Sequence, residues 1–227
     1  MTASAAGPLP QHTRVRARTQ IALRLLLGLA VIFAVEATIG WLVTGHLAHI
    51  WPLSAEDGVD RTLAQHRGHT LDNVSGFFST LANTPSAIAL SLVAFVAIRL
   101  LTHRWPEALF VATALLSEVG IFLLTTVVIE RSRPAVPHLD PHAPPTSSFP
   151  SGHVAAAVAL YAAVVLVLRR HRAPWPAWLL LAVPCAVGFA RLYRGMHHPS
   201  DVLAGALLGA LCVLLAYRVV LTGRDRR

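Results

Sequence analysis

Six long apolar segments constrain the fold of this chain of 227 residues more than any other feature. A membrane-spanning helix needs about 20 mostly apolar residues, and the chain is 55% hydrophobic but only 13% charged. Soluble domains carry about a quarter charged residues, so this composition indicates a bilayer environment. The fourth and fifth segments are short unless their ends extend into the interface. The sequence predicts an all-α polytopic membrane protein, a six-transmembrane-helix bundle with segments at 21–43, 86–101, 106–129, 152–168, 175–190 and 201–221.

Arginine placement predicts how these helices are oriented. If all six segments cross the membrane, four groups of arginines fall on one side, and the positive-inside rule makes that side cytoplasmic. The groups are Arg14, Arg16, Arg18 and Arg24; Arg99 and Arg104; Arg169, Arg170 and Arg172; and Arg218, Arg224, Arg226 and Arg227. We therefore expect a multi-pass protein of the plasma or inner membrane with both termini cytoplasmic. The predicted domains are a cytoplasmic tail at 1–18, a membrane domain at 19–222 and a second cytoplasmic tail at 223–227.

The arginines do not indicate a nucleic-acid partner, because they are dispersed between apolar runs and form no basic stripe. Six of them fall on the outer side, where the positive-inside rule disfavours arginine. They are Arg61, Arg67, Arg131, Arg133, Arg191 and Arg194. The longest connection also lies outside, and its residues 56–69 predict a short helix on the outer interface with Val59, Leu63 and Ala64 on its apolar face.

Three polar segments share this outer face. They lie at 130–134, 148–153 and 191–201, and they read ERSRP, SFPSGH and RLYRGMHHPSD. Ser151, Gly152 and His153 begin a predicted helix, whose free backbone N–H groups and positive dipole end favour an anion. Gly152 also lets the backbone approach that anion closely. Arg133 and Arg191 add planar, permanently charged donors that suit phosphate oxygens.

Two histidines from different segments complete a chemical site. His197 and Asp201 are four residues apart around Pro199, which is a favourable first helical residue. We expect Asp201 to accept a hydrogen bond from one imidazole nitrogen of His197, which would fix the tautomer and leave the other nitrogen nucleophilic. His153 is then available as a general acid for a leaving alkoxide. An anion cradle, an oriented nucleophile and a separate acid together predict a phosphoryl-transfer site.

These segments resemble the three motifs of the type 2 phosphatidic acid phosphatase (PAP2) superfamily, which also includes vanadium haloperoxidases and glucose-6-phosphatase. The family's motifs are Lys, six residues, Arg-Pro; Pro-Ser-Gly-His; and Ser-Arg, five residues, His, three residues, Asp. Here Arg133 and Pro134 match the end of the first motif, and 150–153 matches the second in full. Arg191, His197 and Asp201 match the third at the required spacing. The six-helix layout extends the resemblance over nearly the whole chain.

The resemblance implies a bacterial membrane lipid phosphatase that hydrolyses a phosphomonoester or a pyrophosphate through a phosphohistidine, without a metal or another cofactor. It implies three catalytic and four phosphate-binding residues: His197 as nucleophile, Asp201 as its orienter, His153 as acid and then base, and Arg133, Arg191, Ser151 and Gly152 around the phosphate. Substrates in the family include phosphatidate, phosphatidylglycerol phosphate and polyprenyl pyrophosphates. A site at the membrane interface favours such a phosphorylated lipid over a sugar phosphate.

The chain departs from the family pattern at two positions. Thr126 stands where the first motif has Lys, and Ala190 stands where the third motif has Ser. Thr126 and Arg133 are seven residues apart, which is nearly two helical turns, so we expect both on one helical face. Because Thr126 supplies no charge, we expect Arg131 to replace part of the charge of the family's Lys.

The sequence leaves two other functions open. A protein that binds or moves lipid phosphates without hydrolysing them fits the loss of charge at Thr126. A metal-dependent membrane hydrolase would use His138, His142 and His198 together with Asp140, although no histidine spacing here matches the H-E-x-x-H zinc motif.

Overall fold

The computed structural model describes residues 11–140 and 147–222, with side chains from residue 19 onward. These residues form eight α-helices: α1 Gln11–Trp41, α2 Glu56–Gln65, α3 His69–Leu81, α4 Thr84–Thr102, α5 Trp105–Val128, α6 Gly152–Arg170, α7 Ala182–Tyr193 and α8 Pro199–Ala216. Four shorter helical turns adjoin them: Leu42–His46 after α1, Leu53–Ala55 before α2, Trp175–Leu181 before α7 and Tyr217–Leu221 after α8. The predicted tails at 1–18 and 223–227 lie outside the described residues, except that α1 already begins at Gln11.

Six segments of the described chain are long and apolar enough to cross a membrane, as the sequence predicts. They are Thr19–His46, Thr84–Thr102, Trp105–Val128, Gly152–Arg170, Trp175–Tyr193 and Pro199–Leu221. The fourth and fifth spans are longer than predicted, because α6 continues to Arg170 and a 3₁₀ turn at Trp175–Leu181 leads directly into α7. Both spans have 19 residues and therefore reach the length that a bilayer needs.

The centre of the bundle is formed by α5, α6 and α8, which pack against one another along most of their length. Fully buried side chains such as Phe110 and Ala114 of α5, Ala163 of α6 and Ala216 of α8 meet in one apolar cluster. By contrast, α4 leaves most of its apolar surface uncovered, which is what a helix that faces lipid tails does.

The connection between α1 and α4 contains two helices instead of the single short helix predicted over 56–69. α2 ends at Gln65, and α3 begins at His69 after an extended Gly68. The predicted apolar face of α2 is partly exposed, since Val59 is 43% exposed, while Glu56 and Asp60 on another face are buried. The buried face of α2 is thus acidic. Glu56 on this face contacts Arg131, and Asp60 contacts His198.

The end of α5 also differs from the prediction. The helix stops at Val128, and Ile129 has an extended backbone with φ −107° and ψ 113°. Arg133 precedes Pro134, and proline disfavours helical geometry in the residue before it, so the chain is no longer helical when it reaches Arg133. The expectation that Thr126 and Arg133 lie on one helical face is therefore wrong.

Two glycines of α8 let this helix approach α6 closely. A Cβ atom at Gly209 would lie 2.5 Å from the carbonyl oxygen of Ala155, and one at Gly205 would collide with the carbonyl oxygen of Ser151. Glycine four residues after glycine puts both on one helical face, which is a common arrangement at close helix contacts in membranes. Gly205 thereby sets the position of Ser151, at the beginning of α6.

We expect Gly205→Ala to lower the midpoint of thermal unfolding in detergent, because the added methyl group pushes the start of α6 away from α8. Overpacking of this kind costs about 1–3 kcal/mol. Gly120→Ala is the matched control, since this helical glycine of α5 has no neighbouring atom within 4 Å of a built Cβ among the described residues. The control should unfold at the wild-type temperature or slightly above it. Equal midpoints for Gly205→Ala and the wild type would contradict the close contact.

Candidate active site

The three polar segments meet at one end of the bundle. This end contains the chain that follows α5, the start of α6, the end of α7 and the start of α8, and it is covered by α2 and α3. The hydrogen bond from the backbone N–H of Ser148 to the carbonyl oxygen of Arg131, 2.9 Å long, joins the first two segments. The backbone N–H of Ser151 donates to the carbonyl oxygen of Asp201 at 2.9 Å and joins the second to the third.

His197 lies in the middle of this cluster, and only 4% of its surface is exposed. Its Nδ1 atom is 2.7 Å from the carbonyl oxygen of Ser148. A carbonyl oxygen only accepts hydrogen bonds, so Nδ1 carries the proton and Nε2 carries the free electron pair. Ser148 is itself held in place, because its hydroxyl donates to the carbonyl oxygen of Ser132 at 3.0 Å. The backbone therefore fixes the tautomer that a nucleophilic imidazole needs.

The surroundings of His197 also keep it neutral. Burial lowers the pKa of His197 well below its usual value of 6.5, and the positive charges of Arg191 and Arg133 lower it further. His153 is close enough to contribute in the same direction. The structure thus brings together four of the residues that the sequence predicts for the site.

Asp201 is fully buried, but its contacts differ from the prediction. Its Oδ2 atom lies 3.9 Å from Nδ1 of His197, which is too far for a hydrogen bond. The same oxygen accepts the backbone N–H of His198 at 2.9 Å and so caps the start of α8. The other oxygen pairs with Arg131. The expected direct hydrogen bond is therefore absent: Asp201 holds the backbone beside His197, and the Ser148 carbonyl contacts the ring.

The two arginines of the predicted phosphate site have different partners. Nη1 of Arg133 donates to the carbonyl oxygen of Met196, the residue before His197, at 2.7 Å. Burial lowers the pKa of Arg133, while the charges of Asp201 and Asp140 oppose this shift. Nη1 of Arg191 donates to Asp140 at 2.6 Å, so a half-buried carboxylate balances this guanidinium.

Two buried donors at the site have no hydrogen-bond partner in the described part of the chain. They are the hydroxyl of Ser151 and Nε of Arg191, and the two residues are 0% and 3% exposed. Buried polar groups in folded proteins are nearly always paired, so these two open donors, one of which belongs to Arg191, suit the binding of an anion.

Gly152 has a packing role that the sequence did not reveal. A Cβ atom at this position would lie 2.7 Å from the ring of Phe122 in α5. Glycine is therefore needed here to seat the beginning of α6 against α5. The predicted approach of its backbone to an anion stays a prediction.

Arg131 and Thr126, the two candidates for a supporting charge, both lie apart from this anion position. Arg131 pairs with Asp201 and with Glu56 of α2, the latter at 2.8 Å, and it donates to the hydroxyl of Ser200 at 2.7 Å. Its charge thus meets two carboxylates and joins α2 to α8. The hydroxyl of Thr126 donates to the carbonyl oxygen of Leu123 within α5 at 2.9 Å.

The side chains that lie close enough together to hold a metal ion differ from the set of histidines and Asp140 that the sequence suggested. Among the described residues, Asp57, Asp60 and His198 place their ligand atoms within 4.8 Å of one another. Nδ1 of His198 is 2.8 Å from a carboxylate oxygen of Asp60. Burial opposes protonation of His198, but this hydrogen bond raises its pKa overall. An ordinary hydrogen bond between imidazole and carboxylate accounts for these contacts without a metal.

The predicted histidine cluster does not assemble in the described chain. Asp140 is bound by arginines, and Nε2 of His138 lies 3.1 Å from the carbonyl oxygen of Pro134. His198 faces α2 instead, and His142 lies outside the described residues.

A cavity of about 400 Å³ opens beside the site, between α2 and the chain that follows α5. Its polar lining includes Arg131, Arg133, Asp57 and His198. Arg133 therefore lines a cavity and also contacts the backbone of Met196, one residue before His197.

The sequence analysis did not identify the acids and hydroxyls that hold the arginines, and it considered Asp140 only as a ligand of an alternative metal site. Glu56 binds Arg131, and Asp140 with Ser79 binds Arg191. The available signal was the set of arginines that the predicted topology places on the disfavoured side of the membrane. Each of them needs a counter-charge or a carbonyl oxygen, and Arg194 finds Asp140.

The chain is an all-α membrane bundle, and one end of it buries a histidine with a fixed tautomer close to Arg133 and Arg191. This arrangement is typical of membrane proteins that act on an anionic group. The comparison with known families agrees: the PAP2 superfamily matches residues 107–225, and the chain belongs to this family.

Related proteins and structures cover different shares of the chain. The undecaprenyl-diphosphatase BcrC of Bacillus subtilis is 29% identical over 159 residues, which is 67% of this chain and 77% of that protein. A lipid A 1-phosphatase of Rhizobium johnstonii is 40% identical over 70 residues, but the match spans 30% of this chain and 26% of that protein. The crystal structure of the PAP2-type phosphatidylglycerolphosphate phosphatase of Bacillus subtilis has the same fold, with a TM-score of 0.70, 21% identity and coverage of 85% of this chain and 94% of that one.

Proposed function

We propose that this protein is a membrane lipid phosphatase that hydrolyses a phosphomonoester or a pyrophosphate of a lipid. The observation that carries the proposal is the geometry around His197. Its Nδ1 donates to the Ser148 carbonyl, so Nε2 is free to attack, and the unpartnered donors of Ser151 and Arg191 lie in the same buried cluster. The related proteins named above act, by their names, on undecaprenyl diphosphate, lipid A and phosphatidylglycerolphosphate.

The first half of the proposed reaction transfers the phosphoryl group to the enzyme. Nε2 of His197 attacks phosphorus, the bond to the lipid oxygen breaks, and His153 donates a proton to that departing oxygen. Arg133 and Arg191 stabilise the charge on the phosphoryl oxygens, and the carbonyl of Ser148 stabilises the imidazole as it becomes positively charged.

The second half returns the enzyme to its starting state. His153, now neutral, accepts a proton from a water molecule as the water oxygen attacks the phosphohistidine. The bond between phosphorus and Nε2 breaks, and inorganic phosphate leaves with the electron pair restored to His197. Each step needs only these side chains and water, so the proposed reaction is independent of metal ions.

A lipid substrate fits the position of the site. The catalytic cluster lies at the end of an apolar bundle, so a phosphate headgroup can reach it while the acyl or prenyl chain stays between lipid tails. The cavity beside Arg133 has room for the part of the headgroup that is not transferred. A soluble sugar phosphate would gain nothing from such a location.

The site is proposed to face the outside of the plasma or inner membrane. Arg104 and Arg170 lie near Glu107, at 3.3 and 3.8 Å, so two of the arginine groups meet at the bundle end opposite the site. The positive-inside rule assigns that end of the bundle to the cytoplasm. Residues 19 and 222, at the two limits of the membrane domain in the chain, are then also on the cytoplasmic side.

We expect His197→Ala to reduce phosphate release by more than about 10⁴-fold, because removal of a nucleophile leaves only binding and electrostatic stabilisation. The measurement uses purified protein in detergent and a panel of phosphatidate, phosphatidylglycerol phosphate, a polyprenyl diphosphate and lipid A. His66→Asn is the control, since this exposed imidazole lies 2.8 Å from the carbonyl oxygen of Thr62 in α2, does not line the cavity, and should leave the activity unchanged.

The same assay separates the two alternatives. Activity in EDTA is expected to equal activity without it, and a loss that divalent metal restores would favour the metal-dependent hydrolase. A wild-type protein that binds these lipids but releases no phosphate would favour a protein that binds or moves lipids. Turnover by His197→Ala at the wild-type rate would refute the assigned nucleophile.

Sidedness is tested with two single cysteines in a background in which Cys185 and Cys212 are replaced by alanine. His138→Cys lies at the site end, and His171→Cys lies at the opposite end beside Glu107. Only His138→Cys should react with an impermeant thiol reagent added to intact cells, while both should react after the cells are opened. Labelling of His171→Cys alone in intact cells would reverse the proposed orientation.

A further inference from the structure

One of the two terminal nitrogens of Arg191, Nη1, donates hydrogen bonds to other side chains of the protein. Nη1 donates to the hydroxyl of Ser79 at 2.7 Å and to Oδ2 of Asp140 at 2.6 Å. Both hydrogens of Nη1 are thereby occupied. Nε is buried and has no partner among the residues that the structure describes. Nε and Nη2 present parallel N–H groups on the other edge of the guanidinium, and this edge can bind two oxygens of one phosphate.

Asp140 is in turn held by a second arginine. Oδ1 of Asp140 accepts a hydrogen bond from Nε of Arg194 at 2.7 Å, and the Ser79 hydroxyl donates to Oδ2 at 3.1 Å. Arg194 also donates to the carbonyl oxygen of Leu139 at 2.9 Å, which fixes the backbone next to Asp140. The carboxylate is thus bound on both oxygens and has little freedom to turn.

The charge of Asp140 is maintained by the same contacts. Burial alone would raise the pKa of Asp140, but the hydrogen bond from Arg194 and the charges of Arg191 and Arg194 lower it below its usual value. Asp140 belongs to none of the three sequence motifs. Nevertheless, its Oδ2 atom is only 2.6 Å from Nη1 of Arg191, a residue of the third motif. Hydrogen bonds between charged groups are shorter than those between neutral groups.

We propose that Asp140 is a positioning residue for phosphoryl transfer: it binds Nη1 of Arg191 and so turns the Nε and Nη2 edge toward the phosphate. This inference rests on the phosphatase function proposed above. Asp140 itself does not contact the substrate, and Arg194 acts through Asp140. Ser79 supplies the second acceptor for Nη1 and supports the same orientation.

The expected consequence is a loss in transition-state binding without a loss of the fold. Asparagine at position 140 keeps the size of the side chain and one acceptor oxygen, but its NH₂ group must face an N–H of Arg191 or Arg194. The guanidinium of Arg191 then turns away from its productive position. A small misplacement of a group that contacts the transition state costs on the order of 10- to 100-fold in rate.

The test is a double-mutant cycle between Asp140→Asn and Arg191→Lys, because lysine has no two-donor edge for Asp140 to orient. Three quantities are measured on the purified protein: kcat/KM for the best lipid of the panel, the dissociation constant of vanadate by calorimetry, and the midpoint of thermal unfolding. Glu130→Gln is the matched control, since it removes an exposed acid from the same connection.

Asp140→Asn should lower kcat/KM by about 10- to 100-fold and weaken vanadate binding in parallel. The same change in the Arg191→Lys background should have little further effect, and Glu130→Gln should behave as the wild type. If Asp140→Asn does not fold, Ser79→Ala provides the second variant and should show a smaller loss of the same sign.

Three results would overturn the proposal. The first is wild-type kcat/KM and vanadate affinity in Asp140→Asn, and the second is an equal loss with and without Arg191. The third is tighter vanadate binding by Asp140→Asn, which would mean that the carboxylate competes with phosphate. If the wild type releases no phosphate from any lipid, the proposed function fails, and the vanadate affinities alone then decide whether Asp140 positions Arg191.

Discussion

Arginines enclosed at one end of an apolar bundle need polar partners, and ion pairs between arginine and carboxylate organise much of the site. Arg131 binds Asp201 and Glu56, and Arg191 binds Asp140. Removing one partner from a buried ion pair typically costs about 3–5 kcal/mol, so these contacts fix which segments lie together. They dock α2 and the connection after α5 onto the start of α8 and the end of α7. His197 lies between the two groups of charges, and its environment follows from their positions.

The same charges support the proposed binding of an anion at the site. Once the pairs are formed, Arg133 has only a carbonyl oxygen as its hydrogen-bonded partner in the described chain, and Arg191 keeps an open Nε. Ser151 adds a hydroxyl that likewise accepts no partner within the described ranges. A phosphate would complete all three. The backbone carbonyl of Ser148 fixes His197, so the nucleophile does not depend on a hydrogen bond from a titrating side chain.

Sequence patterns predicted those parts of the protein that depend on local order along the chain. The six spans follow from runs of apolar residues. The three motif segments were predicted to share one face, and His153, Arg133, Arg191 and His197 lie at one end of the bundle. The contacts of Asp201 were not predictable from its spacing to His197, because the intervening turn directs the carboxylate to the His198 backbone and to Arg131. The pairing of Asp140 with Arg191 and that of Glu56 with Arg131 were not predicted, because the partners are 51 and 75 residues apart in the chain. Only the unexplained outer arginines indicated that such acids had to exist.

Thr126 stands at the motif position where the family has Lys, and the structure shows whether a nearby residue replaces that charge. α5 ends two residues after Thr126, and Arg131 is held by carboxylates instead of facing the anion position. The structure therefore gives no support to a direct replacement of the family's Lys by Arg131. The positive charge at the proposed phosphate position comes from Arg133 and Arg191, and a phosphatase with this site relies on these two guanidinium groups.

The measurement that tests this account most directly is the mapping of a covalent phosphoenzyme. Purified protein is mixed with a lipid substrate labelled in its phosphate, quenched in base during turnover, digested and analysed by mass spectrometry. The account predicts an acid-labile phosphoryl group on His197 and none on the adjacent His198. Turnover without any labelled histidine, or a label on His153 or His198, would contradict it.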